Sequence, residues 1–404
     1  MRDDELQVLG AAQQNGRHRK WIVVSMCLVL MILLSVAGIL IYKQKAAVPL
    51  GETTIVPDLQ QAADSLLNDE LELIGGLQGQ VIVMEVKTGR VLAMAGRERR
   101  YDGKFQPCEN FGFQQKPGAT MMTAALLALL ETGDVKLTDE VETERGVWTL
   151  GDSEIMDHNW QHGGNGKITL GRALEISSNI AITKTVRKTF NGREQLYFDL
   201  LDKMSFGQPD SIAGIEGLKP IYSTPKDSLW ANRRLLWNSI GYERLMAPIQ
   251  TLAFYNAIAN NGKMVKPMLT SGKTEIINEQ IASKENIAEM QRLLYDVVNH
   301  GLGKKAGVSS LAVAGKTGTT RLNADDSPDD FQISEYHLCF CGYFPAEAPK
   351  YSIIVSLNKL GIPASGGGMA GVLFHDIVEW MIAHKACLAV LCGDSVDCSD
   401  TMEN

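Results

Sequence analysis

The order of patterns along this chain predicts an α/β fold of the α+β type: one antiparallel sheet of five strands, covered by helices and flanked by a helical lobe. Two strand-like runs come first, a long helical stretch follows, and three further strand-like runs lead into a closing helix. Strands at both ends of a helical insert have one natural compact solution, in which they share a sheet and the insert packs beside it. A cleft between the sheet edge and that lobe is the expected binding site. Ahead of everything lies an uncharged apolar run that predicts a single transmembrane helix.

That run is WIVVSMCLVLMILLSVAGILIY, residues 21–42. At about 1.5 Å per residue it spans roughly 30 Å of hydrocarbon as a helix. Arg17, Arg19 and Lys20 precede it, Lys43 and Lys45 follow, and Trp21 and Tyr42 stand at its two ends. The excess of positive charge before the run places residues 1–20 in the cytoplasm and the rest of the chain outside. A cleaved signal peptide is the alternative, but the run is too long for one and no small-x-small site follows cleanly. The resulting organisation is a cytoplasmic tail over 1–20, an anchor over 21–42, a linker and short helix over 43–75, the main domain over 76–386 and a Cys-containing tail over 387–404.

The linker carries Pro49, Gly51 and Pro57, and residues 58–74 then place Leu59, Ala62, Leu66, Leu67, Leu71 and Leu73 at helical spacing. GQVIVMEVKTGRVLAMAG reads as a hairpin turning at Lys87-Thr88-Gly89. From about Gly118 to Gly262 the pattern is mostly helical with Gly and Pro breaks. Strands return at 311–320, 337–344 and 351–357, and an amphipathic helix is expected from Met369 to Ala386.

Composition narrows the function classes. The chain is 45% apolar and 21% charged with a formal net charge of −8, so it lacks the clustered basic surface that nucleic acid requires. Of its seven cysteines, Cys27 lies in the apolar run. Cys108, Cys339, Cys341, Cys387, Cys392 and Cys398 lie outside it, where disulfides are permitted. Cys339 and Cys341 are two apart on a strand and point to one face, a poor geometry for bonding each other. Spacing leaves the pairing of the tail trio open. No cysteine or histidine pairs match a zinc site, and no cofactor is expected.

Three motifs carry the chemistry. Lys316-Thr317-Gly318-Thr319 follows Val313 and Ala314 on a predicted strand; the same tripeptide at Lys87 is a plain turn, so context is what distinguishes the second copy. Ser177-Ser178-Asn179 interrupts helical periodicity in TLGRALEISSNIAITK, and the bland reading of those residues is helix capping. KPGATMMTAALLALLETG opens a helix after a Pro-Gly turn. This order resembles the transpeptidase domain of penicillin-binding proteins, the class B-like serine-type D,D-transpeptidases, over about residues 58–384. Asp157-His158-Asn159 and Gly166-Lys167 also match that family's approach to Ser-x-Asn. The resemblance implies the penicillin-binding/β-lactamase-like fold and a cleft in which Ser177 takes part in proton transfer and Asn179 binds the substrate amide. It further implies that Lys316 attracts the substrate carboxylate, Gly318 allows close backbone approach and Thr319 holds the carboxylate.

The resemblance breaks at the nucleophile. Members of the family read Pro-Gly-Ser-x-x-Lys, whereas this chain reads Pro117-Gly118-Ala119-Thr120-Met121-Met122. Ala119 replaces the serine and Met122 the lysine, one turn apart on one helix face. Ala has no oxygen, and a thioether takes no proton at neutral pH, so acyl transfer through this motif is lost. Both replacements keep volume and helix propensity, so the fold is expected to survive. Thr120 is turned about 100° away, and Ser223-Thr224-Pro225-Lys226, a formal Ser-x-x-Lys, carries a proline that opposes a helix. In Ser239-Ile240-Gly241-Tyr242-Glu243 a glutamate replaces the usual glycine beside the cleft. Membrane-anchored class B members also place a pedestal before the catalytic domain, for which residues 43–75 leave no room.

The reading is a single-pass protein of the bacterial cytoplasmic membrane, with its main domain outside and a role in cell-envelope biogenesis. It is read as a pseudoenzyme that binds peptidoglycan stem peptides or partner proteins of wall synthesis, division or elongation. The alternatives are an active transpeptidase or carboxypeptidase with a non-standard nucleophile, and a purely structural scaffold.

Overall fold

The computed structural model describes residues 52–151, 153–228, 230, 231, 233–322 and 334–384. The apolar run 21–42, the tail 1–20, Cys27 and the tail cysteines Cys387, Cys392 and Cys398 lie outside these. Among the described residues no helix is long and apolar enough to cross a membrane.

Helix α1 (Pro57–Ile74) starts on a proline, which gives up an N–H that a helix start leaves unpaired anyway, and ends on Gly75 at φ +65°. Strands β1 (Gly76–Glu85) and β2 (Val91–Arg99) form the expected hairpin. It closes through Gly89 at φ +79°, whose N–H donates to the Glu85 carbonyl at 3.0 Å. The late strands are β4 (Ala314–Arg321), β5 (Glu335–Phe344) and β6 (Tyr351–Leu360). All join one antiparallel sheet, β1 pairing with β6 along its length.

The sheet has six strands, in the order β4-β5-β6-β1-β2-β3, not the five expected. The sixth, β3 (Phe105–Pro107), pairs with the end of β2. Three residues are too few for alternation to register, and a proline is tolerated on an edge strand because no ladder N–H is needed there. The rest of the β2 edge is closed by other means. Val56 N–H donates to the Leu92 carbonyl, and the Gln60 amide bonds both backbone groups of Met94.

Side-chain alternation divides the apolar interior. Val81 and Val83 face a layer made of α1 and the closing helix, while Ile82 and Met84 face the lobe. The lobe comprises α2 (Met121–Glu131), α3 (Leu170–Glu175), α4 (Asn179–Phe190), α5 (Glu194–Lys203), α6 (Arg233–Ser239), α7 (Pro248–Ala259) and α8 (Lys284–Asn299). The closing helix α9 spans Gly371–Ala383, shorter than expected, because Gly366–Ala370 form a wide turn before it. Helix α2 is buried on every side from Met121 to Leu130, so it serves as the central axis of the lobe rather than a surface helix.

Candidate functional site

The Pro-Gly turn and β4 meet through backbone. Gly118, at φ +60°, lies so close to Thr320 that a Cβ would fall 2.1 Å from its hydroxyl. Behind it, Gly241 at φ +85° presses on Gly118, and a Cβ there would fall 2.0 Å from the Gly118 carbonyl oxygen. The Gly118 N–H donates to the Gly241 carbonyl at 3.2 Å. Only glycine satisfies both the left-handed backbone and the contact distance. The Ser239–Glu243 segment therefore props the turn from the lobe side.

Ala119 is half-buried and Met122 fully buried among apolar side chains. Thr120 is also buried, its hydroxyl donating to the Pro117 carbonyl at 2.7 Å. Tyr255 on α7 pins the start of α2, donating to the Thr120 carbonyl at 2.9 Å. Ser223 lies after a short lobe strand at Ile221–Tyr222, its oxygen accepting from Arg234 at 3.1 Å. Thr120 and Ser223 are thus both held in local bonds. Glu243, expected beside the cleft, forms an ion pair with Arg234 at 3.6 Å, so its charge is offset locally.

Ser177 and Lys316 are brought into direct contact, the Lys316 ammonium donating to Ser177 Oγ and, at 3.0 Å, to the Thr317 carbonyl. Lys316 has no solvent exposure. Burial pulls its pKa from 10.5 down to about 7, only partly opposed by Cys339. Ser177 is half-buried with φ +54°, a left-handed conformation uncommon outside glycine. The capping role falls to its neighbour: Ser178 accepts from Ala181 N–H at 3.2 Å as N-cap of α4. Buried Asp157 fixes the junction, accepting from Ser178 Oγ at 2.7 Å, Ile180 N–H at 3.0 Å and Asn165 at 2.9 Å. Asn179 donates to the Met156 carbonyl at 2.7 Å. His158, beside Asp157 and within the field of Lys316, has its pKa lowered by desolvation.

Thr319 is exposed on the opposite side of β4, where its oxygen accepts from Gly366 N–H at 2.9 Å; among the described residues its own hydroxyl hydrogen meets no acceptor. Lys316, Gly318 and Thr320 face the turn, whereas Thr317 and Thr319 face the Gly366–Gly368 loop, where a Cβ on Gly367 would lie 3.2 Å from the Thr317 methyl. Gly318 stacks under the turn, its missing side chain leaving room for Cys339 and the Pro117 carbonyl. Because β4 ends the strand order, a ligand along its edge can reach both sides. Cys339 and Cys341 are buried free thiols on one face, as their spacing predicts.

A buried polar chain that sequence reasoning missed holds the turn to the sheet. Gln115 donates to Ser356 Oγ at 2.5 Å, and His337 bridges Ser356 at 2.9 Å and the Lys116 carbonyl at 2.9 Å. Since a carbonyl only accepts, His337 Nδ1 carries the proton and Nε2 receives the Ser356 hydroxyl. Burial lowers the His337 pKa from 6.5 to about 4. A depressed histidine pKa favours the neutral form in the fold, so its contribution is full above pH 6.5 and is lost as pH falls through 4. The loss amounts to about 3 kcal/mol. Glu70, raised to about 7, contributes a slope of the opposite sign, so the test is the difference in thermal unfolding between wild type and His337→Asn from pH 7 to 4; no pH dependence in that difference would refute the assignment.

The comparisons bear on the fold and the family. The profile of the penicillin binding protein transpeptidase domain matches residues 79–379. Penicillin-binding protein PbpB of Mycolicibacterium smegmatis is 26% identical over 363 residues, covering 82% of this chain and 54% of that protein. Peptidoglycan D,D-transpeptidase FtsI of Escherichia coli K12 is 21% identical over 325 residues, covering 76% and 53%. This chain spans about half the length of these curated relatives. Among solved structures, the TP domain of Burkholderia pseudomallei penicillin-binding protein 3 superposes with a TM-score of 0.69 at 23% identity, covering 82% of this chain and 96% of that one. The profile covers most of the described chain, and the chain belongs to the penicillin binding protein transpeptidase domain family.

Proposed function

We propose that this protein is a membrane-anchored, non-catalysing member of the family, acting in cell-wall biogenesis outside the cytoplasmic membrane by recognising peptides that end in a carboxylate. The observation that carries this reading is the pairing of a dismantled nucleophile motif with a retained polar cleft. Ala119 and Met122 carry neither nucleophile nor base, while Lys316 contacts Ser177 on one face of β4, Thr319 stands on the other, and Asn179 opens the helix after Ser177. In this reading Thr319 donates its hydroxyl hydrogen to the carboxylate, and Lys316 supplies positive charge from beneath Ser177. The apolar run 21–42 serves as the anchor, and wall-synthesis proteins are the partner class.

The test is calorimetric titration of the full chain with a stem pentapeptide ending in D-alanyl-D-alanine. Binding is expected to weaken about tenfold on Thr319→Val, from loss of one hydrogen bond to a charged group. Affinity is also expected to rise as pH falls from 8 to 6, because Lys316 becomes cationic near 7. Cys339, raised to about 12, stays neutral over that range. His158, lowered below 6.5, gains charge only toward its lower end. Heat-silent titrations at both pH values, with the chain folded, would sink the binding reading.

A further inference from the structure

We propose that Ser177 and Lys316 form a serine–lysine dyad with Ser177 as acyl acceptor, so that the cleft takes up activated acyl groups such as β-lactams covalently at Ser177 rather than at residue 119. The inference goes beyond non-covalent recognition and rests on the same cleft being the ligand site.

Four observations converge on it. Hydroxyl and amine are in hydrogen-bond contact, and the amine is oriented by a third group, the Thr317 carbonyl at 3.0 Å. That arrangement of nucleophile, base and orienter is the geometric signature of an activated nucleophile. Lys316 has no solvent exposure and no carboxylate partner among the described residues. The nearby Asp157 carboxylate is already bonded to Ser178, Ile180 and Asn165. Desolvation therefore leaves a substantial share of the amine unprotonated at neutral pH. The charged or titratable neighbours are His158 from the loop before α3 and Cys339 from β5, and neither carries a negative charge near neutrality.

Ser177 also occupies a left-handed backbone conformation at φ +54°. Such strain persists where the surroundings over-determine it, here the Asp157 bonds to Ser178 and Ile180, and it collects at reactive positions. Finally, Ser177 is only half-buried while its base is sealed beneath it. The amine is kept from water.

The step balances without another reactant. Unprotonated Lys316 takes the Ser177 hydroxyl proton as Oγ bonds to the acyl carbonyl carbon. When the tetrahedral adduct collapses, the C–N bond breaks and the same proton passes from Lys316 to the departing nitrogen. With a penicillin that nitrogen stays tethered in the opened ring, so the protein gains the mass of the intact drug.

The experiment is incubation of the full chain with benzylpenicillin, followed by intact-mass measurement and peptide mapping. One drug per chain on the Ser177 peptide is expected. Labelling should fall at least about 100-fold on Ser177→Ala, and equally on Lys316→Met, which keeps the hydroxyl but removes the base. Circular dichroism confirms that each variant is folded. No adduct on the wild-type chain overturns the proposal, as does an adduct elsewhere, or one at Ser177 that survives Lys316→Met undiminished. Pentapeptide binding without any adduct would leave the recognition reading standing and remove this one; an adduct without peptide binding would do the reverse.

Discussion

Replacing Lys316 by methionine is expected to stabilise the protein. The unfolded chain holds this amine at an ordinary 10.5, and the fold holds it at about 7. Between those values the unfolded state binds more protons, so stability rises with pH across the window and the full penalty applies below 7. The shift corresponds to at most about 5 kcal/mol. Methionine matches the aliphatic stem but leaves Ser177 and the Thr317 carbonyl without their donor, which offsets about 1–2 kcal/mol. The net expectation is a gain of roughly 2–4 kcal/mol at pH 7, shrinking toward zero at pH 10. Urea unfolding at the two pH values measures it, and a variant less stable than wild type at pH 7 would contradict the burial penalty. Ligand affinity should fall in the same variant, the mark of a group kept for function at the expense of stability.

The second large effect is a gain. Ala119→Ser combined with Met122→Lys rebuilds a nucleophile and an amine one helical turn apart, on a turn still locked against β4. Fluorescent penicillin should then label residue 119, at least about 1,000-fold faster than any labelling of the parent chain. The single substitutions behave differently. Ala119→Ser alone lacks a base and should stay slow. Met122→Lys alone places an ammonium in a fully buried apolar site, with an expected loss of about 3–5 kcal/mol. If the folded double variant does not label at 119, other parts of the cleft have lost their reactive geometry too.

The sequence made the frame legible because its signals are periodic and local. The β1–β2 hairpin, the late strands and the closing helix alternate or repeat as elementary geometry requires, and early and late strands do share a sheet. The strand β3 left no signal, being three residues long. At the site, the motif positions were readable, but the contacts were not. Nothing in Ser177-Ser178 tells which serine caps the helix and which meets the lysine; a left-handed φ decides that. Nor does His337, a polar residue in a mostly apolar strand, announce that it ties the turn to β6 through Ser356. Such bonds join residues far apart in sequence, and no local pattern records them.

The backbone contact between Gly118 and Gly241 has a consequence for variant libraries. In a deep mutational scan selected for ligand capture, both positions should be depleted of every substitution, although neither contributes a side chain. No second-site change can relieve position 241, because the obstruction there is the Gly118 carbonyl itself, 2.0 Å from any added Cβ, whereas at 118 it is the Thr320 hydroxyl, a side chain that a second substitution can shorten. A tolerance map of this domain would then mark its reactive cleft by two silent glycines as sharply as by Lys316, with only the lysine recoverable by an abundance screen.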